Sequence, residues 1–379
     1  MGSDAPGPAS GAGPWETDEA GKWLDGTGPE AGMVVSSRVR LARNLEGHPF
    51  PHLLDQAGGE KVLSLAQDVT REINNFGHFG EFKHLRLASL RPLDRRVLVE
   101  KHLISPHHAE GGGSRGVILN REGTVSIMVN EEDHFRIQCL SSGLDLAGAY
   151  DVAGRIDDLM GERISYAFDP RLGYLTACPT NVGTGLRASV MMHLPALVMT
   201  DQAGRVTTAM SKVGVVVRGF FGEGTQASGD YFQISNQITL GRSEASILDD
   251  LGAVVREVSR QEAEARESLL RGRRHSLEDR VWRAYGVLGS ARILSTDEAM
   301  RLLSEVRLGV ELGFLPRIPI RVLNRLLVVT RPGYLQRLAG RELAPADRDL
   351  RRAELVRRAL RSWNGRGGPG RGDPAAGAP

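Results

Sequence analysis

The sequence predicts an α+β catalytic domain, an antiparallel sheet flanked by helices, followed by a smaller all-helical C-terminal domain. Three observations carry this reading. Apolar β-like runs at 116–119, 124–129 and 135–140 follow one another across turns such as 120–123. Such turns are too short for a crossover helix, so neighbouring strands run antiparallel. Helical stretches alternate with these runs up to about residue 245, and from about Ser246 the pattern is almost wholly helical.

The elements follow in order. Residues 1–32 are rich in Gly, Pro, Ala and Asp and bury too little apolar surface to offset their ordering entropy, so disorder is expected there. Within 33–265, apolar periodicity gives helices at 61–75, 144–159 and 186–198 and a further strand at 213–217. Gly and Asn punctuate the strand ends. The helical domain is placed at 266–364, after a helix at 247–271, with further helices at 277–288, 296–311 and 346–363. Thr296-Asp297-Glu298 is a strong helix start, a capping side chain followed by an acidic first turn. Gly313 and Pro316 break the step after it. The tail 365–379 is again low-complexity and expected to be disordered.

Composition narrows the function. The chain has 379 residues, 41% hydrophobic and 25% charged, enough for one large or two ordinary domains. A net charge of +2 gives no reason to expect direct nucleic-acid binding. Only five of 48 basic residues are lysine, so cationic chemistry here is guanidinium chemistry. Two cysteines make no disulfide framework, and no metal-ligand spacing appears. No apolar run reaches the roughly 20 residues a membrane helix needs, so the expectation is a soluble, cytoplasmic protein.

Four short segments carry the chemistry. In Ser36-Ser37-Arg38-Val39-Arg40, the two arginines alternate with an apolar residue and would share one face of a strand as a phosphate clamp. Asn130-Glu131-Glu132-Asp133-His134-Phe135-Arg136 sets acids beside an arginine at a strand end; Glu132 facing a cleft would grip a guanidinium, and Arg136 would add to the phosphate cluster. Cys178-Pro179-Thr180-Asn181-Val182-Gly183-Thr184-Gly185-Leu186-Arg187 places a thiol beside a tight turn and a Gly-Thr-Gly loop expected to open a helix, whose N–H groups would favour an anion or a thiolate. Arg218-Gly219-Phe220-Phe221-Gly222-Glu223-Gly224-Thr225 presents Arg218 and Glu223 from one glycine-rich loop, a lid over a nucleotide or an ordinary surface turn. No Gly-Lys-Ser/Thr motif exists, so any phosphate binding rests on arginine.

In this order the four segments closely resemble the phosphagen (guanidino) kinases over 33–243. The resemblance implies ATP and Mg²⁺ as cofactors and ATP-phosphate binding by Arg38, Arg40, Arg136, Arg187 and Arg218. It implies substrate-gripping glutamates at Glu132 and Glu223, a reactive cysteine at Cys178, and loop support from Asn181 and Thr184. Small-phosphagen kinases carry a helical domain before this core; here a short low-complexity stretch precedes it, and extra helices follow. That layout resembles the bacterial protein-arginine kinases of the McsB family. Arg348-Asp349-Leu350-Arg351-Arg352-Ala353 matches their RDxxRA motif, which implies an allosteric phosphoarginine pocket using Arg348, Asp349 and Arg352.

The resemblance further implies protein substrates bearing arginine, a homodimer, a zinc-containing activator protein and a Clp-type unfoldase–protease as partners. The alternatives are a kinase of free arginine and a phosphoarginine-binding adaptor without catalysis.

Overall fold

A computed structural model describes residues 20–110, 112–219 and 228–364. Its centre is an eight-stranded sheet in which every neighbouring pair is antiparallel. In chain order the strands are β1 (Val34–Arg43), β2 (Phe82–Arg86), β3 (Gly116–Asn120), β4 (Val125–Val129) and β5 (Phe135–Ser142). They continue with a small hairpin, β6 (Phe168–Asp169) and β7 (Gly173–Tyr174), then β8 (Leu186–His193), β9 (Val215–Gly219) and β10 (Tyr231–Asn236). Across the large sheet the order is β2-β3-β4-β5-β1-β8-β10-β9, with the hairpin apart. The helices are α1 (Gln56–Phe76), α2 (Pro92–Glu100), α3 (Pro106–Ala109), α4 (Leu146–Gly161), α5 (Pro195–Met199) and α6 (Ala203–Lys212). The C-terminal set is α7 (Glu244–Ser290), α8 (Thr296–Glu311), α9 (Ile320–Val329), α10 (Pro332–Ala339) and α11 (Pro345–Asn364).

Alternation explains the two-faced sheet. Val39 and Leu41 of β1, Ile127 of β4, Ile137 of β5 and Val190 of β8 are fully buried on one face, in a core shared with Val62 of α1, Ile156 of α4 and Val255 of α7. Residues between them, such as Arg38, Arg40, Arg136, Gln138, Arg187 and Ser189, face the other way. A second core joins Val117 and Met128 to Leu98 of α2 and to Val281, Leu303, Leu327 and Val356 of the C-terminal helices. The helical region is therefore packed onto the sheet.

Two expectations are corrected. Residues 186–198 are not one helix: 186–193 form β8, held between β1 and β10. The stretch Leu-Arg-Ala-Ser-Val-Met-Met suits a helix by propensity, but its alternation of apolar and polar residues lets it serve as a central strand, and tertiary pairing wins. Residues 20–32 are folded rather than disordered. Trp23 is 1% exposed, Lys22 N–H donates to the Glu122 carbonyl, and the Leu24 carbonyl accepts from Asn324 Nδ2 at 3.1 Å. Arg307 Nη2 donates to the Ala31 carbonyl at 2.7 Å. The tryptophan is the largest side chain buried there: roughly 200 Å² of indole contributes about 5 kcal/mol, and burial of Ala20 and Leu24 with the hydrogen bonds above adds to it against the ordering entropy. Trp23→Ala should therefore cost about 3–5 kcal/mol in a urea titration; a loss under 1 kcal/mol would show that the segment is not held by this side chain.

The helices expected at 247–271 and 277–288 are one element, α7, with a single departure from helical geometry at Arg273 (φ −140°, ψ 28°). The expected boundary at 265/266 lies inside it. Strands β2, β6, β7 and β10 and helices α2, α3, α6, α9 and α10 were not anticipated. Among the described residues, no helix is long and apolar enough to cross a membrane.

Candidate active site

The arginine face begins at the centre of the sheet. Arg40 of β1 sits opposite Arg187 of β8, and Arg136 of β5 sits opposite Ala42, one step along from Gln138 opposite Arg40. Arg38 donates through Nε to Ser189 Oγ at 3.2 Å and through Nη2 to Gln233 Oε1 at 2.9 Å. Arg218 pairs in register with Gln233 near the end of β9, exposed. Five guanidiniums expected from separate stretches of sequence thus lie on one surface.

Their charges crowd. Burial, and then the charges of Arg187 and Arg136, pull Arg38 down to about 10. Arg40 is pushed well below the usual guanidinium range by burial, then by Arg38, Arg136 and Arg187. Arg187 is lowered by burial and by Arg218 and Arg136, while Cys178 and Glu132 pull it back up. The Nε of Arg40 is buried with no hydrogen-bond partner among the described residues. Cations gathered at such cost, one with an orphaned donor, fit a polyphosphate.

The acidic turn lies beside this face. Glu131 is buried; its carboxylate lies 2.5 Å from Arg136 Nη1 and accepts from Ser105 Oγ at 2.7 Å. Burial alone would raise its pKa, but Arg136 and Ser105 outweigh that and hold it below the ordinary range. Glu132 pairs with Arg136 Nη2 yet its side chain stays 42% exposed, so it is within reach of an incoming group. Asp133 is buried and its pKa is raised by that burial. Its Oδ1 accepts from Asn44 Nδ2 and from the Ala177 N–H, both at 2.7 Å, which ties the acidic turn to the end of β1 and to the residue before Cys178. His134 is structural: its Nδ1 accepts from the Leu45 N–H at 3.1 Å, and burial lowers its pKa to about 4.

Cys178 precedes a single 3₁₀ turn, Pro179–Asn181, with Sγ 3.0 Å from Thr180 Oγ1. The helix expected to start at Gly183-Thr184-Gly185 is absent, because that loop feeds β8. The anion-favouring helix start therefore falls away, and the loop is held differently. Asn181 is buried and its carbonyl accepts from the Gly185 N–H at 3.0 Å; Thr184 Oγ1 accepts from the Leu186 N–H at 3.2 Å. Gly185 has φ +65°, and a Cβ there would lie 2.6 Å from the Ala42 carbonyl, so only glycine fits. Thr239 Oγ1 donates to the carbonyls of Thr180 and Val182.

Sequence reasoning missed the scaffold behind these groups. Arg43 makes a buried fork to Asp157 (Nη2–Oδ2 2.6 Å), donates to the Thr184 carbonyl at 3.0 Å and lies 3.5 Å from the centre of the Tyr174 ring. Gln138, Ser189 and Gln233, polar residues alternating with apolar ones in three strands, line the arginine face. That alternation was the available signal. Glu223 lies outside the described residues.

In the C-terminal region, Arg348, Asp349 and Arg352 all lie on α11. Arg352 is buried: its Nε donates to the Thr330 carbonyl at 2.8 Å, its Nη1 to the Leu294 carbonyl at 2.6 Å, and it pairs with Asp349. Arg348 is half-buried. The motif thus locks α11 to the end of α9 and to the stretch before α8.

Comparison with known proteins agrees with this geometry. Residues 64–265 match the model of the ATP:guanido phosphotransferase C-terminal catalytic domain, and residues 274–368 match the protein-arginine kinase McsB C-terminal domain. The chain is 55% identical over 339 residues to a protein-arginine kinase of Symbiobacterium thermophilum, covering 89% of this chain and 96% of that one. It is 53% identical to one of Moorella thermoacetica, covering 89% and 97%. Among solved structures, a lombricine kinase matches 65% of this chain and 70% of its own at 27% identity, with a TM-score of 0.54. A duplicated taurocyamine kinase of Schistosoma mansoni matches at 26% identity and a TM-score of 0.56, over 65% of this chain and 36% of that one. With both family models matched in sequence and more than half of the residues shared with such relatives over 89% of its length, the chain belongs to the protein-arginine kinases, within the ATP:guanido phosphotransferases.

Proposed function

We propose that the chain transfers the γ-phosphoryl group of ATP to a guanidinium nitrogen of arginine residues in proteins. The observation that carries this reading is the meeting of two opposite binding chemistries, a cationic sheet face for phosphate and an exposed carboxylate, Glu132, at its edge for a guanidinium. Arg38, Arg40, Arg136, Arg187 and Arg218 hold the phosphate chain and stabilise charge spread over the transferring group. Glu132, together with Glu223 by family resemblance, pairs with the guanidinium and fixes an in-line approach. As the N–P bond forms and the bond to the β-phosphate oxygen breaks, the leaving N–H proton passes to a carboxylate. Timing matters: an arginine gives up its proton only above pH about 12, so removing it with bond formation avoids that cost. Cys178, by family resemblance, contacts the guanidinium and is not a nucleophile. Bound Mg²⁺ would neutralise phosphate charge; no cluster of carboxylates among the described residues forms a cation site, so it enters with the nucleotide.

The family also supports finer assignments: a homodimer in the cytoplasm, a zinc-containing activator, and delivery of marked proteins to a Clp-type protease. It likewise supports product sensing at Arg348, Asp349 and Arg352, read as a response of activity to free phosphoarginine.

The test is incubation of the pure chain with Mg·ATP and either casein or free arginine, with mass spectrometry under non-acidic handling. Phosphate on protein arginines is expected. Phosphate on free arginine alone would replace this reading with a small-molecule kinase, and phosphate on neither would leave a binding protein.

A further inference from the structure

Beside the acidic turn lies an open cleft of about 1,100 Å³, whose lining includes none of the five arginines of the phosphate face. Its floor is Asn130, Glu131 and Glu132, and Ala177 closes it next to Cys178. Its walls are the start of α1 with the turn before it (His52, Asp55), the end of β2 with the turn that follows (Arg86, Ala88), and the segment leading into β3 (Ser114, Arg115). The volume lies at or above the upper end of the roughly 300–1,000 Å³ that holds a whole drug-sized molecule. A single arginine side chain leaves most of it empty.

We propose that this cleft is the docking groove for the polypeptide on either side of the acceptor arginine, and that it favours basic flanking residues. The inference rests on the kinase reading above and adds where the substrate chain lies. Continuity is the first argument: Glu132, the group placed to meet the guanidinium, belongs to the floor, so a chain whose arginine reaches Glu132 runs through the cleft. Charge is the second. Glu60 is neutralised by Arg86 at 2.5 Å, and Glu131 and Glu132 share Arg136. Among the described residues Asp55 has no cationic partner; its carboxylate accepts the Gly58 N–H, as the cap of α1. Arg115 spends an N–H on the His107 carbonyl. Floor and walls together carry four carboxylates, Asp55, Glu60, Glu131 and Glu132, against three guanidiniums, Arg86, Arg115 and the Arg136 that Glu131 and Glu132 share, so acid is in excess by one. Chemistry is the third: exposed His52, Gln56 and His107 offer hydrogen bonds to an extended backbone without demanding one sequence.

The test uses the full chain with an unfolded polypeptide acceptor. Ala88 is exposed, so Ala88→Trp fills the groove without disturbing a core. Its kcat/KM for the polypeptide should fall about tenfold or more, with the KM for ATP and the melting temperature held. Asp55→Asn keeps the helix cap and removes the charge. It should lower the preference for lysine-flanked over glutamate-flanked arginine peptides about threefold, the size of one exposed charge contact. Polypeptide turnover by Ala88→Trp within about twofold of the parent would overturn the groove, as would a matching rise in the KM for ATP. A parent chain that phosphorylates no protein arginine would instead overturn the kinase reading beneath it.

Discussion

Arg40→Met is expected to cut kcat/KM for phosphoryl transfer by about 10³-fold, between the losses typical of one oxyanion donor and of an arginine finger. The same change should raise the melting temperature of the nucleotide-free chain. Both effects have one cause. Arg40 is charged in a place where burial and three neighbouring guanidiniums oppose its charge, and its Nε has no acceptor. That arrangement costs stability until phosphate arrives and repays it by binding. Lysine should not rescue activity, because a point charge lacks the planar fork. Arg38 gives the pH dependence of the same penalty. Its folded pKa is held down to about 10, so below that pH the folded chain bears the full cost of the charge. Above about 10 the folded chain loses this proton before the unfolded chain does, and the nucleotide-free fold gains stability as pH rises. Melting curves with and without ATP, beside initial rates, read all of this. A variant both less stable and fully active would sink the account.

Glu132→Gln should lower kcat by about 10²–10⁴-fold while leaving ATP binding nearly unchanged. Glutamine keeps the shape and can still hydrogen-bond a guanidinium, but it neither accepts the proton nor balances the charge. Arg136 should stay in place, since Glu131 holds it from the other side at 2.5 Å. The separation is therefore clean: calorimetric titration with ATP reports the phosphate face, and turnover reports the carboxylate. Retention of more than a tenth of the parent kcat would give the proton to another group. A large loss of ATP affinity would mean that Glu132 acts by holding Arg136.

The site was more legible than its frame. Arg38 and Arg40, Glu132 and Arg136, and the Cys178–Arg187 run are short local patterns whose residue types suggest their chemistry; the arginines share one sheet face, whereas the run after Cys178 enters a strand instead of the expected helix. The frame depends on long-range pairing that composition conceals. Leu186-Arg187-Ala188-Ser189 has good helix propensity and becomes a strand because β1 and β10 offer partners on both sides. Trp23 sits in a stretch poor enough in apolar residues to read as disorder, and its burial together with long-range hydrogen bonds from Arg307 and Asn324 reverses that. The fork from Arg43 to Asp157 joins residues more than a hundred positions apart, and nothing local marks either as a partner. The start of α11 was legible as a motif, but not that Arg352 would be turned inward onto two backbone carbonyls.

The unbroken run of α7 has a practical consequence for anyone dividing this chain. A cut at 265/266 severs a helix whose first half seals one core, through Val255, and whose second half seals the other, through Val281. The cut would divide the second core, leaving Leu98, Val117 and Met128 in one fragment and Val281, Leu303, Leu327 and Val356 in the other, so each piece would bare an apolar face and would aggregate or recombine sooner than behave as a free-standing module. Arg273, where the backbone already leaves helical geometry, is the seam at which a linker, a protease site or a reporter could be inserted with the least torn open.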